Sequence, residues 1–346
     1  MKKGTISELV LKRSILKHIH KDKNIIRDGA AIGNDAALLH IEGEDVSWAT
    51  GFSDSRELIK PLSDKTGISV LDLAYIRACN NMYAGGGEPV AAFVKLTVGE
   101  KVKEGVVRNM MTEISERAAK DMIAIAGGDT KISAALREDA FLAEVSLLGR
   151  EVYRGEKPCA GDRVIICGYA GYYGTSNLIM RHGELLRREL PESYLEDALI
   201  KNDKPLTIKE AALACFRGGA KYVHDVSNGG IYAALYQITD KAGTGIRVRH
   251  EDIPIRQETI EVAERLGVNP YMLCGTGGLV AVCSREKEKE VLAELERTFG
   301  SGCPAASAGE LTKEKLRCIY SEEFRINRVI DLPEGDEIYK EVQNDE

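Results

Sequence analysis

Short apolar runs alternate with helix-period stretches twice along this chain, once on each side of a polar segment containing Pro and Gly. That double alternation predicts an α/β fold with two domains, which 346 residues accommodate. In the first half, residues 46–50, 90–98, 122–126 and 141–148 read as strands. Residues 105–120 place Val106, Met110, Ile114 and Ala118 on one helical face, and a second apolar helix covers 66–79. Thr5-Ile6-Ser7-Glu8 is a capping box ahead of an amphipathic helix bearing Leu9, Val10, Leu16 and Ile19. The texture changes around 151–161, "EVYRGEKPCAG", the predicted boundary. Beyond it, strands are predicted at 163–168, up to Val223 and at 278–283. Helices are predicted into 188 and over 207–217, 231–242, 258–267 and 285–298. The expected division is 1–152, 153–330 and an acidic tail, 331–346.

The net charge is −7, and residues 333–346 alone carry −5 of it. The body is therefore near neutral, which argues against a nucleic-acid surface. The tail is expected to be solvated and partly disordered. The eight cysteines form no Cys-x-x-Cys, and several sit inside apolar runs such as Val164-Ile165-Ile166-Cys167. They read as small buried hydrophobes in a reducing, cytoplasmic setting. No window reaches the roughly 18 apolar residues of a membrane span. No histidine has partners at zinc-ligand spacing.

Four acid-bearing turns border apolar stretches: "GNDAALL" (33–39), "FSDS" (52–55), "GGDTK" (127–131) and "HDVSNGG" (224–230). Small residues let a ligand approach the backbone, and Asp is a hard oxygen ligand for Mg²⁺, which takes one or two carboxylates and leaves the rest to water and phosphate. Gathered together, such turns would hold a polyphosphate with its metal. In that reading Gly127 and Gly128 turn the chain sharply past a phosphate, Asp129 holds metal, Thr130 donates a hydrogen bond and Lys131 neutralises charge. A plain strand-to-loop turn explains each motif better when it is taken alone; the joint occurrence of four shifts the weight to a site. His224, beside Asp225, is a candidate general acid/base. No Walker A loop is present. "GYAGYYG" (168–174) has G-x-x-G-x-x-G spacing, so a tight strand-to-helix turn fits it better than a dinucleotide fingerprint.

At these motifs, and at "EDIPIRQETIEVAERLGVNPYML", the chain resembles the ATP-dependent superfamily related to aminoimidazole ribonucleotide (AIR) synthetase, the PurM-like proteins. That superfamily includes thiamine-monophosphate kinase, selenophosphate synthetase and the hydrogenase-maturation HypE family. "HDVSNGGI" with the long motif looks most like HypE. The resemblance covers about residues 5 to 320. It implies an N-terminal ATP-binding α/β domain, a C-terminal α/β domain and a homodimer formed through N-terminal strands. It implies ATP and Mg²⁺ as cofactors and an acceptor whose oxygen is phosphorylated or activated.

By motif position, Asp35, Asp54 and Asp129 would bind metal and phosphate, with Asn81 beside them. Gly33, Asn34, Ser53, Asn80, Gly127, Gly128, Thr130 and Asp225 would line the nucleotide. Lys131 and His224 would act at the transferring phosphoryl group. The departures are Asn80-Asn81 where the family commonly has Asn-Asp, Thr276 where HypE has Glu, and a glycine-rich "AGGGEP" expected to form a wider or more mobile loop. The sequence ends "EVQNDE" where HypE closes on Pro-Arg-Ile-Cys, so HypE's own reaction is not expected in the same form. Three readings follow: an ATP-using enzyme with an unidentified acceptor, a nucleotide-binding protein without turnover, and a partner for another maturation factor.

Overall fold

In the computed structural model, which describes residues 6–323 and 325–342, the N-terminal half is built on one six-stranded sheet. Helix α1 (Glu8–Ser14) leads into strands β1 (Ile26–Asp28), β2 (Ala36–Ile41) and β3 (Glu44–Asp54). Helices α2 (Lys60–Thr66) and α3 (Val70–Ala84) follow, then β4 (Gly87–Val98), α4 (Glu104–Lys120), β5 (Ala124–Ile132) and β6 (Phe141–Glu151). The strand order is β1-β2-β3-β6-β4-β5. Only β4 and β5 run parallel, and α4 supplies the crossover that a parallel pair requires.

Helix α3 fills the inner side of this sheet. Ser69 and Asp72 close a capping box at its start, with Asp72 N donating to Ser69 Oγ (3.1 Å) and Ser69 N to Asp72 Oδ2 (2.9 Å). Every α3 residue except Asn81 is buried. A helix covered on all sides needs close neighbours, and Gly51 of β3 provides one: a Cβ there would stand 2.2 Å from Ala74 O. Among the described residues, no helix covers the outer side of the sheet in this way. Trp48, Phe52, Phe93 and Leu148 are 47%, 45%, 52% and 40% exposed on it.

The C-terminal half comprises β7 (Arg163–Cys167), α5 (Tyr172–Leu186), α6 (Glu192–Ala198), α7 (Lys209–Arg217), β8 (Ala220–Val226), α8 (Gly230–Ala242) and β9 (Gly245–Arg249). It continues with α9 (Gln257–Arg265), β10 (Gly278–Cys283), α10 (Glu288–Phe299), β11 (Ala305–Thr312), β12 (Arg317–Ser321) and β13 (Ile326–Val329). The sheet order is β13-β12-β9-β11-β7-β10-β8. Alternate side chains of β7 and β10 go to two cores. Ile165, Cys167, Leu279 and Ala281 join residues of α3, α5 and α7, while Val164, Ile166, Val280 and Val282 join α8. Strands covered on both faces are apolar throughout, which is why these runs stand out in the sequence. No helix among the described residues is long and apolar enough to cross a membrane.

Several expectations need correction. "GGDTK" is not a turn, because β5 runs straight through it to Ile132. Its glycines serve a neighbouring strand, since a Cβ on Gly128 would lie 1.9 Å from Val94 O of β4. "AGGGEP" is not a wide loop: α3 ends at Ala84 and β4 starts at Gly87. Gly86, at φ +77°, lies against Tyr153 O and accepts from Val152 N and Tyr153 N. The first helix stops at Ser14, and Ser7 caps it without a side-chain bond; Thr5 lies outside the described residues. The tail is packed rather than solvated as far as residue 342, with Ile338 only 1% exposed; residues 343–346 lie outside the description. Strands β1, β2, β9, β11, β12 and β13 and helices α2 and α6 were not expected at all.

Candidate functional site

The loop before β2 carries Gly33, Asn34 and Asp35 against the second domain. Gly33 sits at φ +80° on α8, where a Cβ would fall 2.6 Å from Gln237 O. Its carbonyl accepts from the Tyr222 hydroxyl. This close seat presents Asp35 to the end of β8. Asp35 Oδ2 lies 2.8 Å from His224 Nδ1 and accepts from Asp225 N at 3.1 Å. The other imidazole nitrogen, Nε2, faces Gln237 Oε1 at 2.6 Å. Burial opposes a positive charge on the ring, but the Asp35 charge and its hydrogen bond outweigh it and raise the His224 pKa.

A cavity of about 390 Å³ opens beside this junction. Asp28, Gly33, Asn34, Asp35, Lys157, Phe216, Lys221, Tyr222 and Lys241 are among its lining residues. Asn34 donates to Asp28 Oδ1 and Gly29 O, both at 2.6 Å, and accepts from Lys241. Lys221 is paired to Asp162 at 2.7 Å. The volume falls within the range of small-molecule sites.

Asp225 is buried next to this pair, and its Oδ1 has no hydrogen-bond partner. Burial and then the Asp35 charge push its carboxyl up to about 7. An orphaned carboxylate oxygen next to a second carboxylate suits a divalent cation, which removes both penalties. Among the described residues no group of three His, Cys, Asp or Glu is arranged to hold a metal unaided. Asn80 lies beside Asp225 and eases its charge; its Nδ2 also donates to Leu206 O (2.8 Å) and its Oδ1 accepts from Ile208 N (3.0 Å), tying α3 to the segment before α7. Asn81 Nδ2 donates to Thr50 O at 2.7 Å.

Asp54, Asp129 and Lys131 do not join Asp35 in that cavity. Asp54 Oδ1 accepts from Arg56 N (2.7 Å) and Glu57 N (3.0 Å), closing its own turn. Asp129 pairs with Lys131 at 2.9 Å on the edge strand, both well exposed. The register places Asp54, Leu142, Thr97 and Lys131 in one row across the sheet, and Phe52, Glu144, Lys95 and Asp129 in the next. All of these side chains therefore share the outer face. Asp54 and Lys131 stand three strands apart, about 14 Å. Ala36, the residue after Asp35, pairs with Ala49, and Asp54 lies five residues further along β3, about 17 Å. Ser53 and Thr130 take the opposite, inner side, where the Ser53 hydroxyl is buried without a partner.

Sequence reasoning missed a second buried hub. Glu57 pairs with Arg77 at 2.5 Å, with side chains only 3% and 7% exposed. Glu57 Oε1 accepts from Asn228 Nδ2 (2.7 Å), and its carbonyl accepts from the Tyr173 hydroxyl (2.8 Å) and Asn177 Nδ2 (2.5 Å). Arg77 Nη2 also lies 3.6 Å from Cys274 Sγ, whose thiol burial pushes up to about 12. Thr276 Oγ1 is 3.3 Å from that sulfur. Glu57 follows Asp54 by three residues in "SDSRE", the one available signal; Arg77 and Gln237 sit inside helices that read as ordinary core.

Fold and site together define a two-domain α/β protein of the PurM-like class, with acids of a first-domain loop meeting a His-Asp pair from the second. The chain belongs to the AIR synthase related protein family: the family's N-terminal domain matches residues 33–150 and its C-terminal domain residues 160–321. It is 24% identical to a hydrogenase expression/formation protein of Methanocaldococcus jannaschii, over 97% of this chain and 96% of that one. It is 25% identical to the carbamoyl dehydratase HypE of Escherichia coli K12, over 87% and 86%. The crystal structure of hydrogenase maturation protein HypE in complex with ATP matches with a TM-score of 0.69 at 18% identity, covering 96% of each chain.

Proposed function

We propose that this chain is an ATP- and Mg²⁺-dependent enzyme that phosphorylates or activates an oxygen of a second substrate. The observation that carries the reading is the meeting of Asp35 with His224 and Asp225 beside the 390 Å³ cavity. Family membership, the HypE relatives and the likeness to an ATP-bound HypE support it. ATP with Mg²⁺ would supply an electrophilic phosphoryl group. Asp35 and Asp225 would hold the metal, and Asn34 with Lys241 would border the phosphates. His224 fixes Asp35 from behind; with both nitrogens engaged it serves as a positioning residue rather than a base.

The acids on the outer sheet face fit the same reading in a homodimer. Two copies stacked on Trp48, Phe52, Phe93 and Leu148 would bury this apolar patch. The spread row of Asp54, Asp129 and Lys131 would then line a space between two chains. The test is ATP hydrolysis and calorimetric ATP binding in Mg²⁺, with Asp225→Asn as the control. Binding and turnover untouched by that change would reject the assigned pocket. Thr276 and Asn81, which carry no charge where the family resemblance implies carboxylates, favour a second reading: a protein that binds ATP without turning it over. Tight binding with no hydrolysis would select it.

A further inference from the structure

A second cavity, of about 240 Å³, lies where α3, the end of α4 and the start of α7 meet. It shares no lining residue with the 390 Å³ cavity. Tyr75, Cys79 and Tyr83, at the four-residue spacing of one helix face, form its wall on α3. Tyr83 is only 7% exposed, and its hydroxyl makes no hydrogen bond with any described residue. A buried tyrosine hydroxyl normally finds a partner, so this one is left for something the cavity holds.

The cavity has two poles. At one of them α7 begins. Thr207 Oγ1 takes the Lys209 amide at 3.3 Å, and Ile208, in the cap position, offers no side-chain acceptor to the amides that follow. Such a helix start is open to an anion. Lys209, the first residue of α7, holds its Nζ 5.5 Å from the centroid of the Tyr83 ring and pairs with no described acid. At the other pole α4 ends on Asp121. Asp121 Oδ2 accepts from the Tyr75 hydroxyl at 2.8 Å, and no described cation pairs with this carboxylate. Arg117, one turn earlier in α4, is already held by Asp72 (3.0 Å) and Asp203. A helix C-terminus with an unpaired carboxylate favours a cation.

Tyr75 and Tyr83 stand eight residues apart on α3, on the order of 12 Å along its axis. A ligand hydrogen-bonded at both poles therefore carries its own charges about 6 Å apart. The lining itself is formally neutral, with Arg117, Lys204 and Lys209 against Asp121, Asp203 and Glu210. That balance selects a molecule with one charge of each sign over a plain anion or cation.

We propose that this cavity binds a small zwitterion whose ammonium and carboxylate lie at opposite ends of a short apolar chain, an ω-amino acid. The ammonium meets Asp121, the chain lies along Tyr75 and Cys79, and the carboxylate meets Lys209, the Tyr83 hydroxyl and the start of α7. Nothing in this assignment depends on the ATP-dependent reading above.

Calorimetry on the full-length protein with 5-aminopentanoate and 6-aminohexanoate tests it. At least one should bind saturably below about 10 mM. Pentanoate and pentylamine, which each lack one charge, should bind about tenfold more weakly or not at all. Norvaline, an isomer of 5-aminopentanoate with both charges on one carbon, should also be weaker. Tyr83→Phe, Lys209→Met and Asp121→Asn should each weaken the bound ω-amino acid about tenfold. Lys209→Met removes an ammonium that lies outside the core and should keep the wild-type melting temperature, so its loss of binding reports on the site alone. No saturable binding of either ω-amino acid would overturn the proposal, as would binding that Lys209→Met and Tyr83→Phe leave unchanged. Pentanoate, pentylamine or norvaline binding as tightly as the ω-amino acids would overturn the two-pole assignment.

Discussion

Asp35 of the first domain and His224 of the second lie 2.8 Å apart, with side chains only 10% and 4% exposed. One carboxylate thus serves both as candidate metal ligand and as an interdomain fastening. Asp35→Ala should strand a buried imidazole and lower the unfolding free energy by about 3–5 kcal/mol. The pair raises the folded-state pKa of His224, so its contribution is fully present below the unfolded value and is lost as pH rises through the folded one. The gap between wild type and mutant in urea titrations should therefore be widest below the ordinary imidazole range and narrow as pH rises above it.

Asp225→Asn should act in the opposite sense. The folded protein holds this proton up to about pH 7, well above the usual carboxylate range, so the charged form weakens the fold as pH rises. The neutral amide removes that penalty. Its melting temperature should match wild type near about pH 4 and exceed it near about pH 8. Mg²⁺-ATP affinity should be lost in the same variant, as expected where stability is given up at a functional site.

The sequence motifs and the structure agree unevenly, for physical reasons. Helix α4 and strands β4, β7 and β10 were legible because their apolar residues repeat at the period of the element and face a core. Strands β1, β2, β12 and β13 were not, because they are short, partly exposed and stabilised by pairing rather than burial. "GGDTK" misled because Gly and Asp favour turns, while here the glycines make room for Val94 O across a ladder. Asp35, His224 and Asp225 were legible as motifs. Gln237 and Arg77 were not, because their roles depend on partners far away in the chain.

Gly128→Val should test that ladder. Its φ is not in the left-handed region, so the effect is steric. Overpacking against β4 should cost about 1–3 kcal/mol in urea titrations. It should also displace Asp129 and Lys131 from their row and weaken ATP binding by calorimetry.

Trp48→Glu with Phe93→Glu tests the outer face. A charged pair there should give a monomer by light scattering, while thermal unfolding of that monomer stays within about 1 kcal/mol of wild type, since neither side chain is in the core. ATP turnover should fall with dimer content.

Because "GGDTK" lies in a paired strand, its backbone is already ordered before any ligand arrives. A phosphate meeting this edge would find a rigid rail, not a loop that must freeze around it. Little backbone freedom would then be surrendered on association, and calorimetry should find a small unfavourable conformational entropy for the nucleotide compared with proteins that close a flexible phosphate loop.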